Sequence, residues 1–205
     1  MKKEWKLSGI AALGVLASIA APAQAQVEGA SQELGVYGGE LFGDDLTGTP
    51  VSGRTPKLDD DVTYGVRYAY NLNKSFALEL GVGETPSTAT QLAGRDIDLD
   101  LTTFDVDAVW HFDLGNRVVP YVLAGVGYAR ANLDDPITGT VNGQAVSIDD
   151  DEGFTANAGV GAKFFVNDQF LVRLEGRYRY LDGVVDRFDD SLNTFETTLG
   201  VSWRF

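Results

Sequence analysis

Apolar and polar positions alternate along most of this chain. Eight segments hold the alternation long enough to be strands: about 33–42, 62–71, 75–84, 97–112, 118–130, 153–165, 169–181 and 193–205. A period of two sends successive side chains to opposite faces of a strand. One face of the second segment carries Val62, Tyr64, Val66, Tyr68 and Tyr70, and of the third Phe76, Leu78, Leu80 and Val82. The sixth shows Phe154, Ala156, Ala158, Val160, Ala162 and Phe164, and the seventh Phe170, Val172, Leu174, Tyr178 and Tyr180. Two segments resist a single assignment. In the first, Leu34/Val36 and Tyr37/Leu41 compete as the apolar set. In the fourth, Ile97, Leu99 and Leu101 have the opposite parity to Phe104, Val106, Ala108, Trp110 and Phe112. A β-bulge near Thr102-Thr103 absorbs that slip; an extension beyond the buried zone, where facing matters less, is the alternative.

The connections alternate too. Asn71–Lys74, Asp113–Asn116 and Val166–Asp168 are short, whereas about 43–61, 85–96, 131–152 and 182–192 are long and irregular. An even number of strands with short turns at one end and long loops at the other predicts an all-β fold: an eight-stranded antiparallel up-and-down transmembrane β-barrel. Short turns and both termini are then periplasmic and the long loops external. A soluble barrel would bury the apolar faces, so aromatic placement decides between the two. Tyr70, Phe76, Trp110, Phe112, Phe170, Trp203 and Phe205 adjoin the short turns or the C-terminus, and Tyr64, Tyr128, Phe154, Tyr178, Tyr180 and Phe195 lie nearer the long loops. Two aromatic belts flanking an aliphatic band mark the interfaces of a bilayer. Tyr70, Phe76, Trp110, Phe112, Phe170, Tyr178 and Tyr180 are therefore expected interface residues.

The front end sets the route. Lys2, Lys3 and Lys6 are followed by the apolar stretch Ile10 to Ala21 and the small-x-small motif Ala23-Gln24-Ala25. This reads as a secretory signal peptide, residues 1–25, with the barrel domain as 26–205 beginning at Gln26. Lys2, Lys3, Lys6 and Glu4 leave with it, so the formal charge of −14 becomes −16. Such an acidic chain excludes nucleic acid as a partner. No apolar run is long enough for a membrane-spanning helix; the best, Val118 to Ala129, is broken by Pro120, Gly125 and Gly127. Cysteine is absent, which suits passage through an oxidising periplasm.

Charge matters most on the opposite face. Arg67, Glu79, Asp105, Asp107, Lys163, Arg173, Glu175, Arg177, Arg179, Glu196 and Arg204 all have inward parity. Charges removed from water are tolerated when paired and hydrogen-bonded, so this set predicts a lumen ion-pair network. A hairpin centred on Asn73 places Arg67 opposite Glu79, and a loop centred between Arg187 and Phe188 places Arg179 opposite Glu196. Gly125 is expected opposite Asp105, and Gly159 and Gly161 make room for arginines. An eight-stranded interior is just wide enough for side chains to fill. A plugged structural barrel is thus expected over an open channel, with a narrow gated pore as the sharper alternative.

His111 is the single histidine, in Trp110-His111-Phe112-Asp113, inward and with no serine beside it. A nucleophile–base pair on the membrane-facing wall is not formed this way, so no catalytic residue is expected and a lipid A-modifying enzyme ranks last. The long loops hold acidic runs, among them Asp59-Asp60-Asp61 and Asp149-Asp150-Asp151-Glu152. None has the spacing of a Ca²⁺ loop, so neither metal nor cofactor is expected and the runs are read as solubilising.

Three stretches carry a resemblance. Pro120 to Tyr128 resembles the fifth strand, and Leu174 to Tyr180 the seventh, of OmpA-like eight-stranded outer-membrane barrels. Thr198 to Phe205 resembles their last strand, with Thr198, Gly200, Trp203 and Phe205 in the positions of the outer-membrane assembly signal. The resemblance spans the barrel region and implies a monomer in the bacterial outer membrane with a structural, envelope-integrity role. Its implied partners are outer-membrane lipids, lipopolysaccharide, the barrel-assembly machinery and periplasmic chaperones. The chain is expected to be the barrel alone, without a peptidoglycan-binding domain, so cell-wall tethering is not implied. The OmpW-like small channels are the runner-up; the Arg/Glu face argues against their hydrophobic lumen pathway.

Overall fold

The computed structural model describes residues 27–42, 57–58, 61–92, 95–133, 137–141, 144–148, 151–182 and 192–205. The expected cleavage residues Ala23, Ala25 and Gln26 and most of the acidic loop residues lie outside this set. Eleven strands follow one another: β1 (Ser31–Phe42), β2 (Lys57–Leu58), β3 (Asp61–Asn71), β4 (Phe76–Leu92), β5 (Arg95–His111), β6 (Val118–Leu133), β7 (Ile137–Val141), β8 (Gln144–Ile148), β9 (Asp151–Phe165), β10 (Phe170–Asp182) and β11 (Leu192–Arg204). Eight of them, β1, β3, β4, β5, β6, β9, β10 and β11, pair antiparallel with their neighbours in chain order, and β11 pairs back to β1. The sheet is a closed antiparallel barrel of eight strands, as the periodicity predicts.

Pairing fixes its shape. From Gln32 one passes in register through Tyr70, Leu78, Ala108, Ala124, Ala158, Tyr178 and Phe195 and returns to β1 at Phe42. The circuit closes ten residues further along the same strand. With eight strands, the usual rise and strand spacing, that stagger tilts the strands about 41° from the axis and gives a backbone radius of about 8 Å.

Among the described residues three tight turns sit at the end that holds Val27 and Phe205, the two termini of the described barrel, each tied by a side chain. Asn73 Oδ1 accepts from the amides of Ser75 and Phe76 at 2.8 and 2.9 Å. Asn167 Oδ1 does the same for Gln169 and Phe170, both at 2.8 Å. Asp113 Oδ1 caps Gly115, whose φ of 69° glycine adopts without strain.

At the other end the strands outrun the sequence reading. Residues 85–92 continue β4 and 95–96 begin β5, where a loop over 85–96 is expected. The Pro-Ser-Thr stretch reads as irregular, yet Pro86 lies beyond the last described residue of β4 paired to β3, Glu84, where a missing N–H breaks no bond to that strand. The proposed bulge at Thr102-Thr103 is absent: β5 keeps unbroken register with β4 from Ile97 to Trp110, and the shift lies between Ala89 and Leu92 instead. Leu101 simply faces inward above the ionic part of the interior. In β1 the ambiguity resolves to Leu34 and Val36 outside and Leu41 inside. β7 and β8 form a separate hairpin within the expected third long loop.

Candidate functional site: an ion-paired lumen

The closed sheet gives the chain an inside-out distribution. Outward positions are apolar and exposed, including Val36, Val66, Leu78, Leu80, Val106, Leu174, Leu199 and Val201. The buried positions are largely polar. Arg67, Glu79, Asp105, Asp107, Lys163, Arg173, Glu175, Arg177, Arg179, Glu196 and Arg204 all point into the barrel and are buried. Glu33 joins them, so six cations meet six anions.

The network rises in layers from the end carrying the termini. Lowest, Lys163 Nζ donates to Glu33 Oε2 at 2.7 Å, and Asn71 Nδ2 donates to Glu33 Oε1 at 2.9 Å. Next, Arg173 grips two carboxylates, Glu79 and Glu175, and donates from Nε to Tyr121 Oη. Tyr121 Oη in turn donates to Glu175 Oε2 at 2.7 Å. Arg67 reaches Glu175 Oε2 at 3.3 Å and lies 3.9 Å from Glu79 Oε1. Higher still, Arg177 lies 2.9 Å from Asp107 Oδ2, 3.1 Å from Glu175 Oε1 and 3.3 Å from Asp105 Oδ2. At the top Arg179 holds Asp105 at 2.6 Å and Glu196 at 3.0 Å. From Arg173 to Arg179 the cluster spans about 15 Å along the axis by strand rise and tilt.

Glycines and tyrosines complete the packing. A Cβ on Gly125 would collide with Asp107, on Gly127 with Asp105, and on Gly161 with the hydroxyl of Tyr121. Gly161 therefore makes room for a tyrosine rather than an arginine; the Gly159 site does face Arg177. Tyr37 lies under the Arg67 guanidinium, 4.2 Å from ring centre to Cζ, over the glycines at 65 and 83.

The expected partners shift by two residues throughout. Arg67 pairs in register with Gly81 and Glu79 with Ala69; Glu196 opposes Arg177 rather than Arg179; Asp105 opposes Gly127 rather than Gly125. A shift of two conserves facing, and arginine is long enough to reach the diagonal neighbour, so Arg67–Glu79 and Arg179–Glu196 still come within 4 Å. Glu33 was missed because β1 shows two competing apolar sets. Its signal was the surplus of one cation over anions in the predicted set. Tyr121 and Tyr37 were missed because an aromatic on a barrel strand reads as outward.

His111 is 1% exposed, faces inward, and packs edge-on against Tyr121 at 6.2 Å between ring centres. Neither of its ring nitrogens has a hydrogen-bond partner among the described residues, and no serine side chain bonds to it. Among those residues no group of three potential ligands could hold a metal ion.

The interface aromatics fall into two outward bands. Tyr70, Phe76, Trp110, Phe112, Phe170, Trp203 and Phe205 are exposed at the end with the termini. Trp110 packs on Phe76 at 5.0 Å and Trp203 on Phe205 at 4.7 Å. Tyr64, Phe154, Tyr178, Tyr180 and Phe195 are exposed at the other end. The bands are centred about 20 Å apart by strand rise and tilt, close to the height of a membrane barrel's apolar belt. Of the C-terminal assembly residues, Trp203 and Phe205 face out and Thr198 faces in.

An apolar outer wall between two aromatic bands, closed around a charged interior, defines a transmembrane β-barrel. The chain belongs to the outer membrane protein beta-barrel domain family, the OmpA-like eight-stranded barrels; the family profile matches residues 11–205. Its fold is similar to that of Neisserial surface protein A, at 17% identity over 86% of this chain and 97% of that one, with a TM-score of 0.57. It is similar to Ail, the attachment invasion locus protein of Yersinia pestis, at 19% identity over 87% and 100%, TM-score 0.54. OprG from Pseudomonas aeruginosa matches at 13% identity over 90% and 99%, TM-score 0.54. No curated protein matches by sequence.

Proposed function

We propose that this protein is a structural outer-membrane barrel whose lumen is closed by its own charges, and that it is not an enzyme. In this reading residues 1–25 are removed before Gln26. The termini and short turns face the periplasm, and the long acidic loops face outward. Periplasmic chaperones and the assembly machinery receive the chain through Thr198, Gly200, Trp203 and Phe205. The finished monomer contacts outer-membrane lipid and lipopolysaccharide. One observation carries the structural reading: four arginines and five carboxylates, from Arg67 to Glu196, are buried and mutually bonded across the whole lumen. An interior of this width has no space for such a cluster and a water column together.

Recording from the purified protein in planar bilayers tests it. A flat baseline is expected, and a steady conductance would overturn the proposal. A gated pore is favoured by one detail: Arg179 holds Asp105 and Glu196 at once, so it can release one while anchored by the other. That reading requires brief discrete openings in the native protein that become more frequent in Arg179→Ala or Glu196→Ala. The non-enzymatic reading rests on His111, which faces the lumen away from lipid and has no serine partner among the described residues. Mass spectra of lipid A are expected to be the same with overexpressed protein, with His111→Ala and with neither.

A further inference from the structure

The lower mouth of the barrel holds a second closure, chemically unlike the first. Val27 precedes the first strand, yet it is 1% exposed. It packs with inward-facing Val119, Phe165 and Leu171 into an apolar cluster at the end that holds the termini. The chain is steered there by a short turn. Ala30 adopts φ of 58°, in the left-handed region that L residues disfavour. Its amide donates to Asn71 O at 2.7 Å, and Ser31 Oγ donates to Glu28 O at 2.6 Å. Arg204 closes the side of the mouth: it donates to Asp168 O at 2.8 Å, lies over the Phe165 ring at 5.3 Å, and sits 4.0 Å from Glu28 Oε1.

We infer that residues 27–30 are a latch that seals the lumen at this mouth independently of the ion-pair cluster. Register places His111, Asn71, Glu33 and Lys163 between the latch and Arg173. His111 has two ring nitrogens, and Asn71 an Oδ1, with no partner among the described residues. Polar atoms left bare in this layer are compatible with a layer shut on both sides, above by charge and below by hydrocarbon. Burying one valine shifts an equilibrium about tenfold to a hundredfold, so the latch is shut most of the time and still able to open. Passage through the barrel needs both closures released.

The chain contains no cysteine, which makes the test clean. His111→Cys introduces one thiol behind the latch. In protein extracted from outer membranes, its reaction with a cationic methanethiosulfonate is expected to be at least tenfold slower than that of an exposed control, Asn116→Cys. Adding Val27→Asp, or Ala30→Val, whose β-branch cannot tolerate the left-handed turn, raises the rate tenfold or more. Adding Ala30→Gly, which relieves the turn, does not raise it. Heat-modifiable migration on gels checks that each barrel is closed. Labelling of His111→Cys at the exposed rate with Val27 intact would overturn the proposal. So would a rate indifferent to Val27→Asp and Ala30→Val in folded barrels.

Discussion

Lys163 and Glu33 offer the sharpest test of what the buried charges contribute. Lys163 is fully buried, and among the described residues its ammonium makes one ion pair, 2.7 Å from Glu33 Oε2. Glu33 is shared with Asn71 and has no other cation within salt-bridge distance among the described residues. Glu33→Gln keeps volume and one acceptor but leaves the ammonium uncompensated. Lys163→Met keeps the stem and strands the carboxylate. Removing one member of a buried pair costs about 3–5 kcal/mol. Removing both charges avoids that penalty, so Glu33→Gln/Lys163→Met is expected within about 1 kcal/mol of the native protein, or above it. The interaction energy in the double-mutant cycle is then several kcal/mol. Against a typical total stability of about 5–15 kcal/mol, either single change is large. Urea unfolding from lipid vesicles, followed by tryptophan fluorescence, measures it. Trp110 and Trp203 both stand on the outer wall and report loss of the bilayer. A single variant within 1 kcal/mol of native, or a double variant as weak as the two singles added, would refute the reasoning.

Three further outcomes follow from the same packing. Gly161→Val is expected to destabilise by more than 2 kcal/mol in the same unfolding assay, because its Cβ meets the Tyr121 hydroxyl and the Leu174 carbonyl, which belongs to the backbone and cannot swing aside. Arg177→Met strands Asp107, whose ion pair in the described structure is to Arg177, and should cost about 3–5 kcal/mol; adding Asp107→Asn should recover part of it. Removing the outward aromatics with Trp203→Ala/Phe205→Ala should lower the yield of heat-modifiable barrel in outer membranes while leaving any barrel that forms with native lumen packing, seen as unchanged hydrogen exchange in β10.

The barrel is legible in the sequence because a period of two is a local property of each strand. Val66, Leu80 and Val106 declare their face without knowledge of any neighbour. The interior charges are legible for the same reason. Register is not, since it depends on turn geometry, and the true partners of Arg67 and Asp105 lie two residues beyond the expected Glu79 and Gly125. An error of two returns the same face, so the lumen set kept its facing while its partners shifted. The contacts that matter most run across the lumen, as Arg173 on β10 does to Glu79 on β4, and no pairwise sequence rule reaches that far. Val27 was invisible for a different reason: one apolar residue ahead of a strand carries no period at all.

The span of those ion pairs bears on how the barrel forms. Lys163 is 130 residues from Glu33, Arg67 is 108 from Glu175, and Arg173 is 94 from Glu79. None can be made within a hairpin. While the sheet is open these cross-lumen partners are held apart, and only neighbouring-strand pairs such as Arg179–Glu196 can form. A seam closed two residues out of step would carry Glu33 along the wall away from Lys163. The long-range pairs therefore wait until β1 reaches β11 in the right register, and then form together. The same residues that obstruct the lumen act as a checkpoint on closure, making insertion late, cooperative and intolerant of a slipped seam.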